Sequence, residues 1–376
     1  MSVFLLIIGL VLFVCLIIVH EFGHFIVARR NKVIVEEFGI GFPPRAVSRK
    51  MSSGYIFSIN WLPLGGFVRL KGEHDRDKGK GSFGEANLWV KTKIIAAGVG
   101  MNLIACFIIL TFLAVVGLPQ IVGNQFTIAS NSKITKQEVL SGYIQPNSPA
   151  SQIGIKSQDN IISIINYQGK KIDINNINTL GKTTKSNAGE TITLNYQYNG
   201  SNYSKKVTLR TTADVNASLK TSDPKGYLGI EPTNYVVKKY TWSAPVVALG
   251  FMKQVTELTF KGLGNAFMGL VQGNTTKASS EVSGPVGIVV LLKDGSLLGY
   301  QFVLLIVAII SLSLAIINIL PIPALDGGRL FFTVIPRVIL RKPLKQKTED
   351  WIHGGGMAAL MLIFVLITIV DIRRYF

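Results

Sequence analysis

The residues whose types and spacing could do chemistry stand close together near the start of the chain. His20, Glu21 and His24 form the run His-Glu-Phe-Gly-His. On a helix, positions i and i+4 share a face, so both imidazoles can reach one ion. Glu21, beside the first of them, can then act as general base toward a water that the ion activates. The pattern alone occurs by chance in soluble proteins, and its position is what gives it weight. It continues an uncharged run from Val3 to Val19, and ionisable groups in a bilayer-length apolar run are costly and default to function. The bland alternative is a pair of interfacial histidines ending an apolar helix.

A zinc ion used in catalysis takes three protein ligands and keeps one position open, so a third ligand is needed. His74 lies in the charged stretch Glu-His-Asp-Arg-Asp, where a solvated histidine is the simpler reading, and His353 begins the last apolar run. Asp326 is the better candidate. It is the only acid between Asp294 and Glu349 and closes the third apolar run, in Asn-Ile-Leu-Pro-Ile-Pro-Ala-Leu-Asp-Gly-Gly from Asn318. Pro321 and Pro323 interrupt a helix and free backbone groups. Gly327 and Gly328 permit close approach. A carboxylate at a broken helix end at membrane depth calls for a cation.

These residues need elements to carry them. Of the 376 residues 48% are hydrophobic and 16% charged, against about 25% charged in an average soluble protein. The chain therefore reads as a polytopic α-helical membrane protein, and disordered, collagenous and disulfide-scaffold classes are excluded. Cys15 and Cys106 both sit in apolar runs and read as small buried hydrophobes. Four uncharged stretches can each cross a bilayer: Val3–Val19, Ile94–Leu118, Gln301–Leu325, and Met357–Val370 extended from His353. The first has no basic leader and no small-residue cleavage site, so a removed signal peptide is not expected. The expected division is 1–28 and 94–118 as the first two membrane helices, 298–326 and 353–372 as the third and fourth, and 29–93 and 327–352 as loops between them.

Net charge is +18, yet the basic residues flank apolar segments and form no nucleic-acid motif; topology and anionic lipid account for them, and no nucleic-acid partner is expected. Residues 28–93 hold 13 Lys and Arg, and 329–352 hold six, which places both loops in the cytoplasm. The termini and the long block between the second and third membrane helices then lie outside it. Within that block, residues 120–232 read as short strands, with a hairpin around Asn199-Gly200. Residues 233–297 read as a connector with an amphipathic helix over 245–271, because Lys253, Glu257 and Lys261 repeat at i, i+4, i+8. In the loop 29–93, the runs from Tyr55 and from Gly65 are expected to pair as a membrane-associated β-hairpin joined through Trp61-Leu62-Pro63-Leu64. Backbone at membrane depth requires protein cover.

Taken jointly, the His-Glu-Phe-Gly-His run and the Asn-x-x-Pro-x-Pro-x-Leu-Asp-Gly run resemble the site-2 protease family of intramembrane zinc metalloproteases, in the arrangement of its bacterial regulator-of-sigma-E protease group. The resemblance extends to Gly98–Asn102, matching a Gly-x-x-x-Asn element, and to Ser283–Ile288, matching a Ser-Gly-Pro-Val-Gly-Ile stretch. Residues 120–232 resemble an α+β PDZ domain through Tyr143–Ala150, Ile153-Gly-Ile155, Asp159 and Ile161–Ile164; they depart from that pattern at Ile153-Gly-Ile155, where Ala-Gly-Leu is usual, and at Gln158, where Gly is usual.

The resemblance implies one zinc per chain on His20, His24 and Asp326, Glu21 as base, and substrate contacts from Asn102, Asn318, Pro321 and Pro323. It implies a multi-pass protein of the bacterial cytoplasmic (inner) membrane. The active site faces the cytoplasm and the PDZ domain the other side. The substrates are single-span membrane proteins, such as anti-sigma factors or remnant signal peptides, trimmed first by another protease. Two rival readings are a metal transporter and an inactive membrane scaffold. The first needs polar residues along the membrane helices, which are few; the second should have lost Glu21 or a ligand, and all are present.

Overall fold

The computed structural model describes residues 2–74, 77–198, 200–221, 223–274, 279, 282–339, 341–342 and 344–376. In chain order they form α1 (Ser2–Arg30), β1 (Val35–Lys50), β2 (Ile56–Leu70), α2 (Leu88–Val116) and β3 (Leu118–Pro119). Next come β4 (Lys133–Ile144), α3 (Pro149–Gln152), β5 (Asn160–Ile165), β6 (Lys171–Asp173), α4 (Ile177–Ser186), β7 (Thr191–Tyr198), β8 (Ser201–Thr208), α5 (Thr212–Ser218) and β9 (Ile230–Lys239). The chain ends with α6 (Ala244–Val271), α7 (Pro285–Leu298), α8 (Tyr300–Ile319), α9 (Asp326–Ile339) and α10 (Gln346–Tyr375). Two compact units divide them: Met1–Phe112 with Pro245–Phe376, and Leu113–Ala244.

In the first unit, α1, α2, α8 and α10 are long and apolar enough to cross a membrane. With no water to satisfy backbone groups in lipid, a helix is the form such a run must take. α8 is the central one, 56% buried over its most apolar stretch against 6% for α10. Leu16 of α1, Leu292 of α7 and Val303, Ile306 and Val307 of α8 share one buried cluster. Cys15 and Cys106 are free. The third membrane helix ends earlier than expected, at Ile319 rather than 326. Leu320 turns extended (φ −66°, ψ 146°), and Asp326 opens a new helix, α9. The expected loop 327–352 is thus largely helical. The physical reason for the break is the one read from sequence: Pro321 and Pro323 have no N–H to continue the ladder.

The expected hairpin is corrected. Residues 56–60 and 65–70 belong to one long β2 and do not pair with each other; both pair with β1, which the sequence did not reveal as a strand. Residues 37–40 are paired twice, with 66–69 on one flank and 56–59 on the other, while 45–50 pair with 56–60. Glu37, 1% exposed, ties these segments: it accepts from Arg45 (2.9 and 2.5 Å) and Arg69 (2.7 Å). Asn60 adds bonds to the carbonyls of Ile40 (3.2 Å) and Gly41 (3.0 Å).

The second unit is built on a sheet of order β3-β9-β4-β5-β7-β8, with β6 beside β5. The expected hairpin is present: β7 and β8 pair from Thr191↔Thr208 to Tyr198↔Ser201, with Asn199 of its turn outside the described residues. Val139, Ile161, Ile164, Ile192, Leu194 and Val207 fill its core. The helix expected at 245–271 is α6, carrying an exposed Lys253–Glu257 pair at 3.8 Å.

Candidate metal centre

α1 carries His20 and His24 one turn apart, and their Nε2 atoms lie 3.3 Å from each other. Asp326, first residue of α9, brings Oδ2 to 3.0 Å from His20 Nε2 and 3.1 Å from His24 Nε2. A helix N-terminus favours a carboxylate there. Among the described residues this is the one group of three or more His, Cys, Asp or Glu side chains placed to hold a metal.

Hydrogen bonding decides what these atoms present. His24 Nδ1 lies 2.7 Å from the Ile94 carbonyl oxygen, which can only accept, so Nδ1 carries the hydrogen and the neutral ring turns a lone pair outward at Nε2. The His24 lone pair then meets Asp326 Oδ2, a buried oxygen with no hydrogen-bond partner among the described residues, beside the Nε2 of His20. A cation resolves that arrangement. The spacing suits zinc: bonds of about 2.1 Å at a tetrahedral centre set ligand atoms roughly 3.4 Å apart.

The backbone around the site is shaped for it. A Cβ on Gly98 of α2 would lie 2.5 Å from both His20 Nε2 and His24 Nε2, and one on Gly23 of α1 would lie 2.6 Å from the Ala97 carbonyl oxygen. Glycine at both positions lets α1 and α2 meet closely. Cβ atoms on Gly327 and Gly328 would strike the backbone of Ile319, Leu320 and Ile322, so these glycines let the broken segment fold over α9. Ala324 adopts φ +74°, a backbone strain of the kind that gathers at functional sites.

A cavity of about 260 Å³ opens beside His24 and Asp326, lined also by Glu21, Gly66, Phe67, Val68, Phe83 and Arg329 among others. Glu21 thus sits with the metal-binding atoms and one segment of β2. Gly66 is the close neighbour: a Cβ there would be 3.1 Å from Glu21 Cγ. A second cavity, of about 300 Å³, shares Ala324, Asp326 and Arg329 with the first and is walled by Glu73, His74, Glu349, Asp350 and His353.

The other sequence candidates fall differently. His74 pairs with Asp350 (2.8 Å) and Asp77 (3.3 Å), not with the histidine pair. Partial burial works against its charge, but the Asp350 carboxylate outweighs this and raises its pKa above the ordinary histidine value. His353 accepts from the Ala324 N–H at 3.3 Å. Asn102, expected to touch substrate, is 1% exposed, and its side-chain nitrogen lies 3.3 Å from His20 Nδ1; it buttresses a histidine because α2 packs its face onto α1. Asn318, in the last turn of α8, and Pro321 and Pro323, on the broken segment, precede Asp326 and line neither cavity; Pro323 packs on Gly356 of α10. Sequence reading missed Arg329, Phe83 and the Ile94 carbonyl. The only signal for Arg329 was its place three residues after Asp326.

Comparison with known proteins agrees with this geometry. The description of peptidase family M50 matches residues 8–363. A protein of Clostridium acetobutylicum named as a zinc metalloprotease is 32% identical over 374 residues, covering 99% of this chain and 98% of its own. Similarly named proteins of Fusobacterium nucleatum (28% over 370 residues, 98% of each chain) and Clostridium perfringens (31% over 374 residues, 98% of each) align equally fully. With nearly its whole length inside the family match, the chain belongs to peptidase family M50.

Proposed function

We propose that this multi-pass membrane protein is a zinc endopeptidase that cuts the membrane segment of single-span proteins, with His20, His24 and Asp326 as zinc ligands and Glu21 as general base. The observation that carries this reading is the convergence of His20 Nε2, His24 Nε2 and the otherwise unpartnered Asp326 Oδ2 at 3.0 to 3.3 Å from one another, beside a cavity that Glu21 also lines. Zinc, when bound, supplies a Lewis acid that polarises a peptide carbonyl and makes water a nucleophile near neutral pH. Glu21 takes a proton from the attacking water and delivers it to the leaving amine. His24 is held in its ligating tautomer by Ile94, and Asn102 orients His20. Such partners of metal-bound histidines fix ring orientation and basicity.

A helical substrate hides its peptide bonds and must be extended first. Residues 66–69 pair with 37–40 on one flank, and Gly66–Val68 line the cavity beside Glu21. Added at this edge as a further strand, an extended segment would be held by main-chain hydrogen bonds. The second unit, in its resemblance to a PDZ domain, and helix α6 act as a filter that admits substrates already trimmed by another protease. The chain resides in the bacterial cytoplasmic membrane, with the metal centre toward the cytoplasm and the second unit outside.

The test is Glu21→Gln in the purified full chain. Glutamine is near-isosteric and cannot take the proton, so the variant should retain one zinc per chain while cleavage of a single-span test peptide falls below detection. Turnover near wild type would remove Glu21 from the role. Full zinc occupancy in both His24→Ala and Asp326→Ala would remove the ligand assignment.

A further inference from the structure

We propose that Arg329 binds the carboxylate that peptide-bond cleavage creates, holding the acyl fragment at the metal centre until it leaves. This rests on the peptidase reading above and assigns a residue to its product. Hydrolysis joins the water oxygen to the carbonyl carbon and breaks the carbon–nitrogen bond. Protons pass to the nitrogen, leaving a carboxylate on one fragment and an ammonium on the other. The new anion forms in a cavity that Glu21 and Asp326 already line, and among the described residues lining it Arg329 is the only Lys or Arg. An uncompensated buried carboxylate is costly, so a fixed cation is the group this step needs.

Three features place Arg329 for that work. It follows Asp326 by three residues on α9, hence on the same helical face. It lines both cavities, the one with Glu21 and His24 and the one beyond Asp326, so it spans the wall between the reacting bond and the way out past His74 and Asp350. Its head is braced without being used up: Cζ stands 4.9 Å over the Phe83 ring, and one N–H donates to the Glu73 carbonyl at 2.9 Å. Phe83 is itself 1% exposed. A guanidinium has five donors in a fixed fork and stays charged. That single hydrogen bond is the one recorded among the described residues, which leaves donors for a carboxylate. The competing view makes Arg329 a strut between α9 and the loop carrying Glu73 and Phe83.

The two views separate on fragment binding. A single-span test peptide is cleaved by the zinc-loaded full chain in detergent, and the cut is mapped. The N-terminal fragment is then synthesised with a free carboxylate or a carboxamide, and each is measured as an inhibitor. Zinc alone favours the carboxylate to some extent, so the quantity read is the change in that preference. Arg329→Gln should lower the carboxylate-over-amide preference by about tenfold or more, in line with the strength of charge-assisted paired hydrogen bonds. Zinc content and amide affinity should stay near wild type. A zinc-loaded Arg329→Gln chain with the wild-type preference overturns the proposal. Should that variant lose zinc, Arg329→Lys is read in its place: it keeps the charge but not the paired donors, so the preference should drop, and an unchanged one overturns the proposal. Failure of the wild-type chain to cleave any test peptide would overturn the peptidase reading and this assignment together, whereas cleavage with unaltered preference overturns this assignment alone.

Discussion

At the scale of single residues, the metal centre depends on an atom that is absent. Gly98 faces the histidine pair, and a methyl group added there would sit 2.5 Å from both Nε2 atoms. The helices cannot back away freely, since His24 bonds the Ile94 carbonyl of the same helix and Gly23 presses on Ala97. Gly98→Ala should therefore push the imidazoles off their shared point. Zinc affinity is expected to fall by at least about tenfold, the low end of what disturbing the groups around a metal site costs. The same change removes a helix-interior glycine, which by itself favours the helix by about 1 kcal/mol. Equilibrium dialysis with zinc and thermal unfolding of the metal-free chain should thus move in opposite senses, metal binding weaker and apo stability unchanged or higher. Equal loss of both would mean that the methyl group disrupts helix packing rather than the metal-binding geometry.

Among the elements, the β1–β2 sheet carries the wall opposite the ligands, and a buried carboxylate ties it together. Glu37→Ala should cost about 3 kcal/mol, the lower end for breaking a buried ion pair, because both arginines stay half-exposed. Burial alone would raise the Glu37 pKa, but hydrogen bonds from Arg45 and Ser58 and the charges of Arg45 and Arg69 outweigh it and hold the carboxyl below its ordinary 4.5. A depressed value means the stabilisation is full above that ordinary value and is lost as pH falls through the folded one. Between about pH 6 and about pH 3 the wild-type melting temperature should accordingly fall further than that of Glu37→Ala; parallel curves would show that the carboxylate contributes nothing. This sheet also marks where sequence reading ran out. The His-Glu-Phe-Gly-His face was legible because helical spacing alone places i and i+4 together, and Asp326 because an acid among apolar residues after two prolines has few other uses. β1 was not legible: residues 35–50 pass from buried to continuously exposed without alternation, and Pro43-Pro44 reads as a break. α4, set among strands, was hidden in the polar run Ile-Asn-Thr-Leu-Gly-Lys-Thr-Thr-Lys-Ser and declares itself only through the Asn176 cap on Thr179 (2.8 Å). The Ile94 carbonyl is backbone, which no side-chain pattern reports.

For the whole molecule, the question is why a peptidase whose chemistry lies in the first unit carries the second. The proposed ligands and base all belong to α1 and α9, so on that reading bond cleavage does not call on the block Leu113–Ala244. Its work, on our reading, is exclusion: a bulky extracytoplasmic domain on a substrate is refused before its membrane segment reaches the metal. The second unit is also unusually easy to remove. Its two ends are zipped together, Leu118 and Pro119 pairing with Lys238 and Val237, and the Tyr240 N–H donating to the Ala114 carbonyl at 2.8 Å. A few flexible residues joining 119 to 237 would bridge neighbouring strands, and a short linker adds little closure entropy. The excised chain should keep its zinc and cleave a trimmed substrate at a rate within a few-fold of wild type, and it should now also cut untrimmed single-span proteins that the full chain ignores. Loss of zinc would show that the second unit supports the helices, and the comparison would then be made with point substitutions on its surface. A deletant that holds zinc, cuts the trimmed form and still refuses the untrimmed one would place the filter outside this unit. Helix α6 would then be the element to test, since it follows immediately and its 28 residues present an exposed charged stripe of Lys253 and Glu257.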